Sequence, residues 1–286
     1  MTSARARGLA SIAFASACVG LGVQGVAVSP RARAEPSVAA AEAARSSTRK
    51  IIVDARARTS WDWNWDGRSS GGDPTPSTAP TRVYWLVRHG QATEERPDAD
   101  AAADGERKLT DLGRKQASFT ARRLRELIPS TEYASVKMTH STMVRAKETA
   151  DIIAAEAFPN APRKSSELIR EGAPVRPEPD TWGQAEHVHV TDAPRIEAGF
   201  RETFHRASPA AATTKTPSPE HEIVVCHGNV IRYSVLRALQ LPPDAWLRIG
   251  LYNGSITRVE VRGDGGVSLR FLGDAGYMTA DMLTHN

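Results

Sequence analysis

The sequence predicts an α/β fold, a three-layer sandwich with a mostly parallel central sheet. Three times along the chain, a short apolar run is followed by a loop and a helical pattern, which is typical of parallel strands covered by helices. The length of 286 residues, with 40% hydrophobic and 24% charged side chains, suits one medium domain with tails. Two cysteines are too few for a disulfide framework or a four-ligand zinc site, so other residues must carry the chemistry.

The first repeat covers residues 83–127. An apolar run at residues 83–87 ends abruptly in a polar tripeptide, Arg88-His89-Gly90, which predicts a buried strand that feeds a loop. Residues 94–108 are polar and predict a mobile loop near the site. From Leu109 to Leu127, apolar residues recur at helical intervals with arginines between them, which predicts a helix with one buried face.

The second repeat is a predicted strand over residues 133–138 followed by a helix over residues 143–158. Residues 140–142, His-Ser-Thr, lie between the two and predict a polar cap for that helix. A separate helix is predicted to open at Asp192, with Pro194 just inside its first turn, and to run toward His205.

The third repeat joins a buried strand at residues 222–226 to a helix that runs to Leu239. Two closing strands, at residues 255–261 and 267–272, are separated by a glycine-rich turn. Ligands of such folds bind beyond the carboxyl ends of the strands. The histidine after the first strand and His227 after the third are therefore expected to lie together.

Basic charge is concentrated at the N-terminus. Residues 1–58 hold 9 basic and 3 acidic side chains, and the remainder holds 28 and 30, which together give the net charge of +4. No basic stripe with interleaved aromatics follows residue 60, so nucleic-acid binding is not expected. Residues 8–30 carry no charge and are flanked by arginines. Residues 1–33 are therefore predicted to be a membrane anchor or a mitochondrial targeting segment, with a secretory signal as a third option.

Residues 34–80 are predicted to be a linker. It contains the tryptophan-rich run WDWNWD at residues 61–66, and then a stretch at residues 67–80 with three glycines and three prolines. The globular domain is predicted to cover residues 81–286.

Five side chains together offer what phosphoryl transfer needs: a nucleophile, cationic donors for the phosphoryl oxygens and a proton donor for the leaving oxygen. Arg88 places a planar donor fork beside His89. Arg145 falls about one turn inside a helix, where free backbone N–H groups favour an anion. His227 follows another strand, and Glu171 is a loop carboxylate. Each residue alone is equally consistent with a structural role.

The sequence resembles the histidine phosphatases of the phosphoglycerate mutase superfamily, and this resemblance implies their fold. Five ordered motifs carry it: LVRHG at 86–90, LTDLGRKQA at 109–117, HSTMVRAKET at 140–149, REGAP at 170–174 and VVCHGN at 224–229. Further stretches are similar to the mitochondrial serine/threonine phosphatase branch: WDWNWD, PRIEAGFR at 194–201, NVIRYSVLRALQLPPDAWLR at 229–248, NGSIT at 253–257 and LGDAGYM at 272–278.

The resemblance implies a role for each of the five side chains. His89 would attack phosphorus and become a phosphohistidine, and its deprotonation near the ordinary histidine pKa of about 6.5 would shape the acid limb of the rate profile. Arg88, Arg145 and His227 would hold the phosphoryl oxygens. Glu171 would protonate the leaving serine or threonine oxygen and then activate water. No metal and no cofactor is implied, and the expected substrates are phosphoserine and phosphothreonine proteins.

The resemblance also gives the tryptophan-rich run a role. In that branch this segment joins homodimers into larger rings and raises activity, which implies an assembly role here for Trp61, Asp62, Asn64, Trp65 and Asp66. Three tryptophans within five residues beside a linker favour docking onto another surface. The alternative is that they pack on their own domain. The implied location is mitochondrial and membrane-associated, with neither the outer nor the inner membrane favoured.

Three other interpretations compete with this one. Cys226 and Arg232 have the Cys-x5-Arg spacing of a cysteine-dependent phosphatase loop. A small-molecule phosphatase or a phosphoglycerate mutase could use the same fold, since site residues alone do not fix the substrate. A membrane-tethered scaffold with incidental catalysis is the third. His187 and His189 are expected to be exposed and are not interpreted as a metal pair.

Overall fold

A single six-stranded sheet organises the domain in the computed structural model, which describes residues 39, 42–43, 46–47, 49–52, 60–68, 78–94, 101–208 and 217–285. The strands are β1 (Arg82–Arg88), β2 (Val136–Ser141), β3 (Arg163–Ser166), β4 (Glu220–Cys226), β5 (Ile256–Val261) and β6 (Val267–Asp274). The principal helices are α1 (Ala101–Gly105), α2 (Asp111–Leu127), α3 (Val144–Ala157), α4 (Glu186–Thr203) and α5 (Gly228–Ala238).

The strand order is β3-β2-β4-β1-β5-β6, with the first four parallel and the two hairpin strands β5 and β6 added antiparallel at one side. Strand β1 is buried on both faces, because alternate side chains serve two separate cores. Val83, Trp85 and Val87 pack on α2 and α3, whereas Tyr84 and Leu86 pack on α4 and α5. The predicted three-layer α/β sandwich is therefore confirmed.

Parallel pairing sets the position of the site. Arg88 at the end of β1 is in register with Cys226 at the end of β4, and His140 near the end of β2 is in register with Val225. Three carboxyl ends therefore meet at one edge of the sheet.

Two predicted element starts are wrong. Strand β2 begins at Val136, because residues 130–135 form a 3-10 helix. It continues through Ser141, since β3 and β4 pair with it on both sides. His140 and Ser141 of the predicted cap are therefore part of the strand, and Met143, the residue before α3, provides no side-chain cap. Helix α4 begins at Glu186 and not at Asp192, so Pro194 lies inside the helix.

Two other segments have secondary structure that was not predicted. Residues 101–105, inside the predicted loop at residues 94–108, are helical. Leu109, the predicted first residue of the next helix, forms a β-bridge to Ala92. Strand β3 was not predicted, because its four residues are polar and mostly exposed.

The tryptophan-rich segment, residues 61–66, packs against the domain. The indole N–H of Trp65 donates to the Gly265 carbonyl at 2.8 Å, and its ring lies 5.9 Å from that of Phe200. The Asp66 carboxylate accepts from the backbone N–H and the guanidinium of Arg206 at 2.8 to 3.1 Å, and only 1% of its side chain is exposed. Residues 65 and 66 are thus anchored on their own domain.

The N-terminal prediction for residues 1–33 lies outside the described residues. The described positions from 39 to 52 are helical. In the parts of the chain that the structure covers, no helix has both the length and the apolar character needed to cross a membrane.

Candidate active site

His89 lies directly after β1, where its backbone N–H donates to the Cys226 carbonyl at 3.0 Å. Its Nδ1 lies 2.7 Å from the Gly90 carbonyl oxygen, and its Nε2 lies 3.3 Å from Nε of Arg145. A carbonyl oxygen can only accept, so the proton is on Nδ1. The lone pair is therefore on Nε2, which faces the guanidinium.

The electrostatic surroundings keep His89 neutral. Burial lowers the pKa of its imidazole well below the ordinary value, and the positive charges of Arg145 and Arg88 lower it further. The expectation that His89 titrates near the ordinary pKa is therefore wrong. The sequence could not show that the ring is buried between two arginines.

His227 begins α5, and its ring centroid lies 5.0 Å from that of His89. Its Nε2 is 2.9 Å from the Ser141 hydroxyl, and its Nδ1 has no hydrogen-bond partner among the described residues. Burial first, and then the charge of Arg145, lower the pKa of His227 well below the usual histidine value. The two imidazoles are therefore neutral, and the positive charge of the site belongs to arginines.

Arg88 and Arg145 reach the site from two different elements, β1 and α3. Arg88 donates through Nη1 to the Leu251 carbonyl at 2.6 Å, and burial lowers its pKa to about 10, so it stays charged at neutral pH. Arg145 is on the first turn of α3 and is only 3% exposed. Its terminal nitrogens Nη1 and Nη2 contact Asp104 of α1, at 2.7 Å and 3.2 Å. The sequence offered no signal for Asp104, because it lies in the predicted loop.

Glu171 supplies a carboxyl group whose pKa is raised. Removal of this group from water raises its pKa, whereas the Gly172 N–H and the charges of Arg145 and Arg88 act in the opposite direction and only partly offset that effect. A carboxylic acid whose pKa is raised keeps its proton to higher pH than an ordinary glutamate does, and this suits general-acid chemistry.

The loop that carries Glu171 is fixed by an ion pair on α4. The guanidinium of Arg195 donates to the carbonyls of residues 168, 170 and 171, and Asp192 accepts from the Ala173 N–H at 3.1 Å. A Cβ atom at Gly172 would collide with both Asp192 and Arg195. Only a glycine fits beneath this pair, and the sequence alone did not indicate the pair.

The cysteine in the Cys-x5-Arg spacing is placed for packing. Cys226 is 2% exposed and belongs to the apolar core beside Leu86 and Val224. Burial raises the pKa of its thiol, so no thiolate is available at neutral pH. The guanidinium of Arg232 donates to the Asn229 side chain at 2.9 Å. This geometry argues against a cysteine-dependent mechanism.

The two histidines of the divergent stretch differ. His187 is exposed as predicted, but His189 is only 5% exposed and packs edge-on against Trp182, so its predicted exposure is wrong. Helix α4 begins earlier than predicted and carries His189 inward. Among the residues that the structure describes, no group of three or more His, Cys, Asp or Glu side chains could hold a metal ion.

The fold and this constellation define a phosphatase of the histidine type, a phosphoric monoester hydrolase. Residues 84–273 match the profile of the histidine phosphatase superfamily, branch 1. The chain is 47% identical over 206 residues to the mitochondrial serine/threonine-protein phosphatase PGAM5 of Xenopus laevis, covering 71% of this chain and 69% of that one. It is 42% identical over 208 residues to the human protein of the same name, covering 72% and 67%.

The chain therefore belongs to the PGAM5 branch of the histidine phosphatase superfamily. Among solved structures, phosphoglycerate mutase from Plasmodium falciparum is 30% identical, with a TM-score of 0.46, covering 68% of this chain and 91% of that one. The family assignment does not depend on this likeness.

Proposed function

We propose that the chain is a metal-independent serine/threonine protein phosphatase that works through a phosphohistidine at His89. The observation that carries the proposal is the orientation of the imidazole: the Nδ1 proton is held by the Gly90 carbonyl, and the unprotonated Nε2 faces Arg145. The names of the relatives, which are mitochondrial serine/threonine phosphatases, support the substrate class.

The proposed reaction has two steps. In the first, the Nε2 lone pair of His89 forms a bond to phosphorus while the bond from phosphorus to the serine or threonine oxygen breaks. Glu171 gives its proton to that leaving oxygen. In the second, the Glu171 carboxylate takes a proton from water, the water oxygen bonds to phosphorus, and the N–P bond breaks. Phosphate leaves, and Glu171 and His89 regain their starting forms.

Three side chains are proposed to hold the phosphoryl oxygens. Arg88 and Arg145 supply two positive charges inside a site with little water, where such charges act strongly on a developing negative charge. If the Ser141 hydroxyl donates to Nε2 of His227, then Nδ1 of that ring carries the proton. That nitrogen is the one without a partner among the described residues, and it is free to donate to a phosphoryl oxygen.

The substrate class is tested by comparing phosphoserine and phosphothreonine peptides with 2- and 3-phosphoglycerate, each with and without EDTA. We expect kcat/KM for the peptides to exceed that for the phosphoglycerates by at least about tenfold, which corresponds to about 1.4 kcal/mol of transition-state binding. EDTA should leave the rate unchanged, since arginines supply the charge. Preference for the phosphoglycerates would favour the small-molecule alternative, and loss of activity in EDTA would contradict metal independence.

We further propose that residues 61–66 (Trp61, Asp62, Asn64, Trp65 and Asp66 among them) join homodimers into higher oligomers and raise activity. The exposed part of the segment supports this. Trp61 and Trp63 are partly exposed. Asp62 exchanges hydrogen bonds of 2.9 Å with Gln240, whose neighbour Leu241 is 46% exposed. An aromatic and aliphatic patch of this kind is suited to a protein interface.

Replacing Trp61 and Trp63 together with alanine is expected to dissociate the larger assembly and to lower activity toward that of the dimer. Buried tryptophans in interfaces commonly contribute about 2 kcal/mol or more to association. Sedimentation velocity and phosphopeptide hydrolysis measure the two effects. Trp182→Ala is the matched control, because this tryptophan is 37% exposed and lies outside the segment. An unchanged mass in the double variant would contradict the assembly role.

A mitochondrial, membrane-associated location is proposed as well. The mitochondrial names of the relatives support the organelle, and the arginine-flanked, uncharged residues 8–30 support the membrane contact.

A further inference from the structure

Asp104 joins the short helix α1 to the buried arginine of the site. One oxygen of its carboxylate accepts from Nη2 of Arg145 at 3.2 Å, and its backbone carbonyl accepts from Nη1 at 2.7 Å. The other carboxylate oxygen accepts from Nη1 of Arg107 at 3.1 Å, so the carboxylate is itself held in place.

These contacts use one edge of the guanidinium. Arginine has five N–H groups in a rigid plane, two on each terminal nitrogen and one on Nε. Asp104 engages both terminal nitrogens, whereas Nε is aimed at Nε2 of His89 at 3.3 Å. The edge formed by Nε and the second N–H of Nη2 therefore faces the nucleophile. Along this edge, the sulfur of Met143 is the only acceptor from Nη2 among the described residues, at 3.6 Å. Sulfur is a weak acceptor that a phosphoryl oxygen can replace.

We propose that Asp104 is a positioning residue. It binds the two terminal nitrogens of Arg145, so that the edge of the guanidinium formed by Nε and Nη2 meets the phosphoryl group on His89. This inference rests on the proposed phosphoryl transfer at His89. Because the plane of the guanidinium is rigid, fixing one edge fixes the direction of the other, and a planar fork of two N–H groups matches two phosphoryl oxygens.

Charge alone gives the opposite expectation, which makes the proposal testable. A carboxylate near a bound dianion repels it and offsets part of the positive charge of Arg145. If Asp104 acted only as a nearby negative charge, its removal would tighten substrate binding and speed turnover. A positioning residue has the reverse effect, because a guanidinium displaced by about 1 Å can cost about 100-fold in rate.

The test compares Asp104→Ala, Asp104→Asn and Glu106→Ala in the full chain, with a phosphoserine peptide as substrate and orthovanadate as the inhibitor. Glu106 is an exposed acid two residues further along and is the matched control for loss of one negative charge. We expect Asp104→Ala to lower kcat by about 100-fold with little change in KM, and to weaken vanadate inhibition similarly. Asparagine keeps an oxygen that accepts from Nη2, so Asp104→Asn should recover kcat to within about fivefold of the wild type. Circular dichroism and thermal melting confirm that each variant is folded.

Two results would overturn the positioning role of Asp104 and leave the proposed function intact. One is a kcat for Asp104→Ala at or above that of the wild type, and the other is a folded Asp104→Asn that is as slow as the alanine variant. A His89→Ala variant that keeps full activity would instead remove the proposed function, and the positioning role with it. Because the two failures appear in different variants, they can be distinguished.

Discussion

Replacement of His89 by alanine is expected to abolish phosphopeptide hydrolysis, with kcat reduced by about four orders of magnitude or more. Among the described residues, His89 presents its unprotonated Nε2 to Arg145, and this is the nitrogen that we propose accepts the phosphoryl group. The measurement is kcat for a phosphoserine peptide, together with quenching of the wild type and the variant in alkaline detergent after each is mixed with 32P-labelled peptide. An acid-labile, base-stable phosphate should be trapped on the wild type and be missing from the variant.

Cys226→Ser is the control for this experiment. The thiol is buried in the apolar core and its pKa is raised, so its replacement should leave kcat within about threefold of the wild type, whatever it does to stability. The opposite pattern, an active His89→Ala and an inactive but folded Cys226→Ser, would select the thiolate mechanism.

Replacement of Glu171 by glutamine is expected to lower kcat by about 100- to 10,000-fold, because the leaving oxygen loses its proton donor and the attacking water loses its base. It should also change the pH profile. In the wild type the pKa of Glu171 is raised, so the protonated form persists to higher pH and the rate falls as pH rises through that pKa. The pKa of His89 is lowered, so the nucleophile stays neutral well below pH 6.5 and the acid limb is displaced downward.

Comparing the pH profiles of the wild type and Glu171→Gln separates the ionisation of Glu171 from that of the substrate. The second ionisation of a phosphate ester, near pH 6, affects wild type and Glu171→Gln alike, so only the limb that Glu171 controls should disappear. Substrates with good leaving groups, such as p-nitrophenyl phosphate, need less protonation and should lose less rate in the first step. A basic limb that persists unchanged in Glu171→Gln would show that another group is the acid.

The fold was predictable from sequence wherever one physical signal dominated. Buried parallel strands are continuous apolar runs, so residues 83–87 and 222–226 identified β1 and β4 to within two residues. Because each run ends in a polar residue, the strand ends also located Arg88, His89 and His227. The structure brings all three together with Arg145 and Glu171.

The features of the site that were not predicted depend on contacts between residues far apart in the sequence. Nothing local distinguishes Asp192 as the partner of Arg195 and of the Glu171 loop from a residue that begins a helix, so a helix was predicted to open there. Asp104 reaches Arg145 only after α1 has folded against the start of α3. The pKa of His89 likewise depends on burial and on two arginines far apart in sequence.

The hydrogen bond between His89 and Gly90 has a practical consequence for dissecting this enzyme. Two contacts select the same neutral tautomer of the imidazole: the main-chain carbonyl one peptide unit away accepts from Nδ1, and Nε of Arg145 donates to Nε2. Substitutions around the site that leave Arg88 and Arg145 in place can therefore be combined in double-mutant cycles while the imidazole keeps one tautomer. Nitrogen-15 chemical shifts of the labelled ring should stay fixed across such a series.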